Sequence, residues 1–155
     1  MMCQEKKSNE YYMKEALKEA KKADSIGEIP VGAVIVHNDK IIARGHNKKE
    51  TTKNPINHAE MIAIQKAARA LGDWRLNECS LYVTLEPCPM CAGAIIQSRI
   101  GKVFYGTRDL KSGAVDSIIN LLEFPWNHKV EVMEGILTEE CMKILQFFFK
   151  KIRKK

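Results

Sequence analysis

The segment Pro87-Cys88-Pro89-Met90-Cys91 constrains the fold more than any other part of the chain. Ahead of it, residues 80–85 are rich in apolar side chains and alternate poorly, as in a strand buried on both faces. Behind it, the chain stays apolar with helical spacing. Proline fits a helix only in its opening turn, so Pro87 and Pro89 predict a helix over 87–98 that begins at the cysteines. Two cysteines three apart in that turn place both sulfurs on one face. Backbone N–H groups at a helix start favour thiolate over thiol. A buried strand leading into a helix that opens on two thiols is either a metal site or a redox pair.

The surrounding pattern predicts the remaining elements. Tyr12, Ala16, Leu17, Ala20 and Ala23 keep helical spacing and predict a helix over 10–25. Residues 32–36 and 40–44 read as two strands turned by Asn38-Asp39, a hairpin. A polar loop follows over 47–57. A helix over 58–71 comes next, with Asn57 as N-cap and Gly72 as the stop. Further strands are expected over 102–105 and 129–133, with a polar loop at 106–113 and a last helix from Thr138 to the end. Strands alternating with helices predict an α/β fold, a three-layer or two-layer sandwich with a mixed sheet flanked by helices. Strands beyond the hairpin are separated by helices and should run parallel to one another. With 155 residues, no repeat and no Pro/Gly-rich linker, the chain is expected to form one domain over 1–155.

Composition closes off several classes. Hydrophobic residues make up 45% and charged residues 28%, which excludes a disordered chain, a collagen-like repeat and a disulfide miniprotein. The longest apolar stretches, such as 90–96, fall far short of the ~18 residues of a membrane span. The first residues show charges with no apolar core behind them, so no secretory signal is read and a cytoplasmic protein is expected. Five cysteines, an odd count in a reducing compartment, argue against a disulfide framework. Cys3, Cys79 and Cys141 then read as small buried hydrophobes.

A second short motif completes the pattern. His58-Ala59-Glu60 also opens a helix. Two helix starts facing each other would offer one imidazole nitrogen, from His58, and two sulfurs, from Cys88 and Cys91, to a zinc ion. Three protein ligands leave the fourth tetrahedral position open, which separates catalytic from structural zinc. Glu60, two residues past His58, would then pass protons at the open position. The competing readings are a redox pair and half of a structural zinc knuckle. The latter needs a fourth protein ligand, for which Cys79 is the nearest spare thiol. His37, His46 and His128 sit in no recognisable ligand spacing. The combination H-x-E with P-C-x-x-C is the known signature of zinc nucleobase deaminases and favours catalytic zinc.

Longer blocks extend that match. They include Ile29-Pro30-Val31-Gly32-Ala33-Val34, Gly45-His46-Asn47 and Gly72-Asp73-Trp74-Arg75-Leu76. The stretch from Leu81 to Ala94, Gly106-Thr107-Arg108-Asp109 and Asn127-His128-Lys129-Val130-Glu131-Val132 continue them. Over nearly its whole length the chain resembles the bacterial tRNA-specific adenosine deaminases of the cytidine deaminase-like superfamily. The resemblance implies a five-stranded sheet, a homodimer, and conversion of adenosine to inosine at the wobble position of a tRNA anticodon stem-loop. It implies zinc on His58, Cys88 and Cys91, with Glu60 as proton shuttle. It also implies that Asn47 contacts the target nucleotide, that Pro30 and Val31 line the base pocket, and that Asp109 lies close to the anticodon backbone. Two places depart from the family pattern: Asn57, where a small residue is usual, and Phe124-Pro125-Trp126.

The end of the chain points the same way. Residues 150–155 are basic except for Ile152, and the net charge is +6. Composition alone leaves a phosphate-binding element and a solvated tail equally placed. Three consecutive aromatics, Phe147, Phe148 and Phe149, cannot all face inwards from one helix. At least one, with Phe149 the candidate, is free to stack on a base or meet a partner subunit, and Lys150, Lys151 and Arg153 would then lie near phosphates. Two other readings stand beside this one. A deaminase of a free base or nucleoside, of guanine or cytosine type, would need no basic tail. An inactive zinc module that binds nucleic acid would not need Glu60.

Overall fold

A computed structural model describes residues 7–154 of the chain. Helix α1 (Asn9–Ser25) is capped by Ser8, whose hydroxyl accepts from the Tyr11 N–H at 3.1 Å. Strands β1 (Gly32–His37) and β2 (Lys40–His46) form an antiparallel hairpin. Asn38 and Asp39 both take positive φ in its two-residue turn, the geometry that matches strand twist. Next come the short helix α2 (Lys49–Thr52) and helix α3 (Ala59–Leu71). Strand β3 (Cys79–Leu85) leads into α4 (Pro89–Gln97), which crosses over to β4 (Lys102–Thr107). A 3₁₀ turn (Leu121–Glu123), the edge strand β5 (Glu131–Met133) and α5 (Thr138–Arg153) complete the fold. Cys3 and Lys155 lie outside the described residues. Among the described residues no helix is long and apolar enough to cross a membrane.

The five strands form one mixed sheet in the order β2-β1-β3-β4-β5. β1 pairs antiparallel with β3, while β3, β4 and β5 run parallel, as the crossover reading predicts. Helices cover both faces, giving three layers. Alternation along the strands separates two cores. Val34, Val36, Tyr82 and Phe104 face α1 and α5, where they meet Tyr12, Met13, Ala16 and Cys141. Ala33, Ile35, Leu81, Val83, Val103 and Tyr105 face α3 and α4, beside Ala63, Ala67, Ala92 and Ile95. Both faces being buried is why 80–85 shows little alternation in sequence.

Several boundaries differ from the sequence reading. The cap of α3 is His58, not Asn57, because the imidazole is drawn toward the two cysteines; Asn57 instead donates its side-chain amide to the Thr52 hydroxyl at 2.9 Å. Helix α4 starts after Cys88, which leaves Pro87 outside it. The last strand is shorter than 129–133 because only residues 131–133 find ladder partners on β4. The loop over 47–57 contains α2, too short a turn to show periodicity.

Candidate active site

β3 and β4 are parallel neighbours, so their C-terminal ends open on the same side of the sheet, where crevices of such sheets form. From β3 the chain passes through Glu86-Pro87 to Cys88, the residue that caps α4. From β4 it passes into a loop over 108–117. Helix α3 brings His58 to the same place. Its backbone lies directly on β2 at Gly45, where a Cβ would collide with the Ala59 carbonyl and come within 3.0 Å of the Ala63 nitrogen. Gly45 thus sets the height of His58 above the sheet.

Here His58, Cys88 and Cys91 converge. His58 Nδ1 lies 3.6 Å from Cys88 Sγ and 3.6 Å from Cys91 Sγ, and all three donor atoms lie within 4.8 Å of one another. Bonds of about 2.3 Å to sulfur and about 2.0–2.1 Å to nitrogen at tetrahedral angles put N and S about 3.6 Å apart. The donor set and its spacing therefore fit a tetrahedral zinc ion. The sulfurs are also electronically divided. Hydrogen bonding from Cys91, helped by His58, brings Cys88 down to about 4 against the effect of burial. Its hydrogen bond to Cys88 and its own burial push Cys91 up. The same contact with Cys88 raises His58. These contacts favour a thiolate at Cys88, the form in which a thiol binds metal.

Glu60 stands in the first turn of α3 and is only 4% exposed. Burial raises its carboxyl to about 7. A carboxyl near that value gives and takes a proton readily at neutral pH. It lines a cavity of about 170 Å³ together with His58, Cys88, Val31, Asn47 and Asp109. Beside the donor set, this is a place where a small planar group could meet a nucleophile and a proton carrier at once.

The other sequence-predicted residues divide. Asn47 is buried at the cleft, its amide donating to the Ile29 carbonyl at 3.2 Å and its oxygen accepting from the Lys49 N–H at 3.1 Å. Val31 faces the cavity, whereas Pro30, though buried, is not among its lining residues. Asp109 lines the cavity and accepts from the Lys111 and Ser112 N–H groups, at 3.1 Å each. Phe149, Lys150 and Arg153 lie apart from it on α5. Phe149 and Arg153 share a hollow of about 530 Å³ with Lys111, which belongs to the Asp109 loop. Phe148 is buried, while Phe147 and Phe149 are 67% and 42% exposed, so two of the three aromatics point outward. Lys151 turns the other way and pairs with Asp24 at 2.8 Å.

Two carboxylates that the sequence reading passed over shape the walls. Glu28, fully buried, accepts from the Glu50 and Thr51 N–H groups at 3.1 and 2.6 Å, and so ties the α2 turn to the end of α1. Glu86, also buried, accepts from the loop after β4. For Glu86 a signal was present: a carboxylate between a largely buried strand and Pro87 needs donors from elsewhere in the chain.

Comparison with known proteins agrees with this geometry. A family model described as MafB19-like deaminase matches residues 7–153. The tRNA-specific adenosine deaminase of Bacillus subtilis (strain 168) is 55% identical over 148 residues, 95% of this chain and 92% of that protein. The one from Aquifex aeolicus (strain VF5) is 49% identical over 145 residues, 93% of this chain and 95% of that one. A structure solved in biochemical and structural studies of A-to-I editing by tRNA:A34 deaminases at the wobble position of transfer RNA superposes with a TM-score of 0.84. Its identity is 41%, over 87% of this chain and 99% of that one.

Proposed function

The chain belongs to the MafB19-like deaminases and, within them, to the tRNA-specific adenosine deaminases, and from that premise we propose that it converts adenosine to inosine at the wobble position of a tRNA anticodon. The observation that carries the reading is the juxtaposition of the His58, Cys88 and Cys91 donors with the buried Glu60 in one small cleft. His58, Cys88 and Cys91 would hold zinc, which when bound supplies a hydroxide nucleophile at neutral pH.

Glu60 moves the protons. It delivers one to ring nitrogen N1 of adenine, which makes C6 electrophilic, and one to the departing amine, so that adenosine and water give inosine and ammonia. Its buried position keeps bulk water from competing for those protons. Asn47 is held at both ends of its carboxamide by backbone, which leaves one amide hydrogen and one lone pair for the target nucleotide. Val31 gives the base an apolar wall, and Pro30 fixes the backbone that presents it. Asp109 shapes the loop near the anticodon backbone. A single-stranded loop base costs little to splay out into such a cleft.

The surface beyond the cleft supports an RNA substrate. Phe149 offers a stacking face, Arg153 and the loop residue Lys111 offer positive charge in the same hollow, and Lys150 adds an exposed charge on α5. Exposed apolar side chains at Leu110, Ile118, Phe124 and Trp126 support assembly as a homodimer. A tRNA substrate supports a cytoplasmic location. The test is mass spectrometry of anticodon fragments after incubation of the protein with tRNA, beside parallel reactions on free adenosine, guanine and cytidine. Inosine at the wobble position alone is expected. Turnover of the free compounds with untouched tRNA would overturn the assignment.

A further inference from the structure

We infer that Glu86 is a positioning residue: its carboxylate holds the loop over 109–117 in place as the wall of the cleft that faces Glu60 and the His58, Cys88 and Cys91 donors. The inference rests on the reading of that cleft as the deaminase site. Glu86 is 2% exposed and accepts five hydrogen bonds, all from one loop. Oε1 takes the Asp109 N–H at 3.1 Å and the Ser117 hydroxyl. Oε2 takes the N–H groups of Val115, Asp116 and Ser117 at 3.1, 2.8 and 2.9 Å. Every neighbour is a donor, so the group must be an acceptor at both oxygens, which only the carboxylate provides.

The loop is shaped to receive it. At Gly113 a Cβ would run into the Glu86 carboxylate and lie 2.5 Å from the Asp109 carbonyl oxygen. The Ala114 N–H donates to the Pro87 carbonyl at 2.9 Å, next to Cys88. The Gly113 N–H donates to the Asp109 carbonyl at 2.8 Å and closes the turn that carries Ser112. Asp109 and Ser112 both line the cleft, as Glu86 does. The chain segment that delivers Cys88 therefore also fixes the opposite wall. One carboxylate sets the distance between the donors and the wall a target base must fit against.

The Glu86→Gln substitution keeps the volume and sets an amide N–H against loop donors, whichever way the amide is turned. In the full-length protein, metal content should stay at the wild-type value. Amide hydrogen exchange over 109–117 should speed up at least tenfold, with β1 and β3 unchanged. The KM for an anticodon stem-loop should rise tenfold or more, while kcat falls less than threefold. A purely structural role would lower the active fraction, and thus kcat, without moving KM. Gly113→Ala keeps residue 86 but drives a Cβ against its carboxylate, so that the loop must shift; it should give the same pattern, with little added in the double variant. If Glu86→Gln fails to fold, Gly113→Ala and Ser117→Ala carry the test. Unchanged KM and unchanged loop exchange in the folded variants would overturn the inference. A wild-type protein that leaves tRNA unedited would overturn the function instead, and the exchange measurement would still decide whether Glu86 holds the loop.

Discussion

The openings of α3 and α4 and the outer face of α5 are both assigned to the substrate by the proposed function, yet they are built by opposite means. At the openings, three donor atoms and one carboxylate are held by backbone: a helix cap at His58, another at Cys88, and a glycine contact under α3. Little there can move without moving an element. On α5, Phe149, Lys150 and Arg153 project from an exposed helix face with no such framing. Chemistry needs atoms placed to fractions of an ångström, and only the backbone supplies that. Attraction of a polyanion needs charge within a Debye length, and flexible side chains suffice.

Substitutions at the two regions should differ by orders of magnitude. Cys88→Ala should give the largest effect, with metal loss and activity near background. Retained full metal content, read by elemental analysis, would break the proposed donor set. Glu60→Ala should come next: folded, with metal bound, and slower by ~10²–10⁴ or more, since this carboxyl serves more than one proton transfer. An active Glu60→Ala protein would remove the sharpest contrast with α5. Gly45→Ala alters no reacting group but pushes α3 off β2; overpacking of this kind costs about 1–3 kcal/mol, read as a lower urea midpoint. On α5, Lys150→Glu with Arg153→Glu should leave kcat unchanged, raise KM, and flatten the salt dependence of KM by about one unit of log–log slope for each phosphate no longer neutralised. Superimposable salt series would make that face bystander surface.

The smallest effect separates the regions by pH. Hydrogen bonds from Lys18 and Arg44 hold Glu15 below the ordinary range. At Glu28 burial acts upward, but hydrogen bonds from Thr51 and Glu50 prevail and lower it. A group lowered in the folded state stabilises above its unfolded value of about 4.3 and loses that contribution as pH falls through the folded value. Glu15→Gln and Glu28→Gln should therefore lower stability at pH 7, with the deficit shrinking as pH falls below about 4.3, so that the acid limb flattens. Charge reversal on α5 should leave that acid limb as it is, in urea titrations across pH.

What was legible in the sequence follows the same division. His58, Cys88, Cys91 and Glu60 could be read because helix starts have their own residue signals and metal donors come from few residue types. The five strands followed from apolar runs, whereas strand–helix alternation alone left two layers or three. Glu28 and Glu86 were not read, because their partners are backbone N–H groups far along the chain, which any residue provides. The α3 cap was misplaced at Asn57 because cap preference favours Asn when nothing competes, and here the pull of two cysteines on His58 did. Lys151 could not be told from Lys150 by composition, since only the packing of α5 against α1 brings Asp24 to it.

The order of the site along the chain matters while the protein is being made. All three donors lie within the first 91 residues, whereas the wall over 109–117 and α5 come after them. At roughly 5–20 residues per second, a ribosome presents the donors seconds before it finishes the molecule. If zinc is held as proposed, its donor set is complete on the nascent chain before either the loop over 109–117 or α5 has been made.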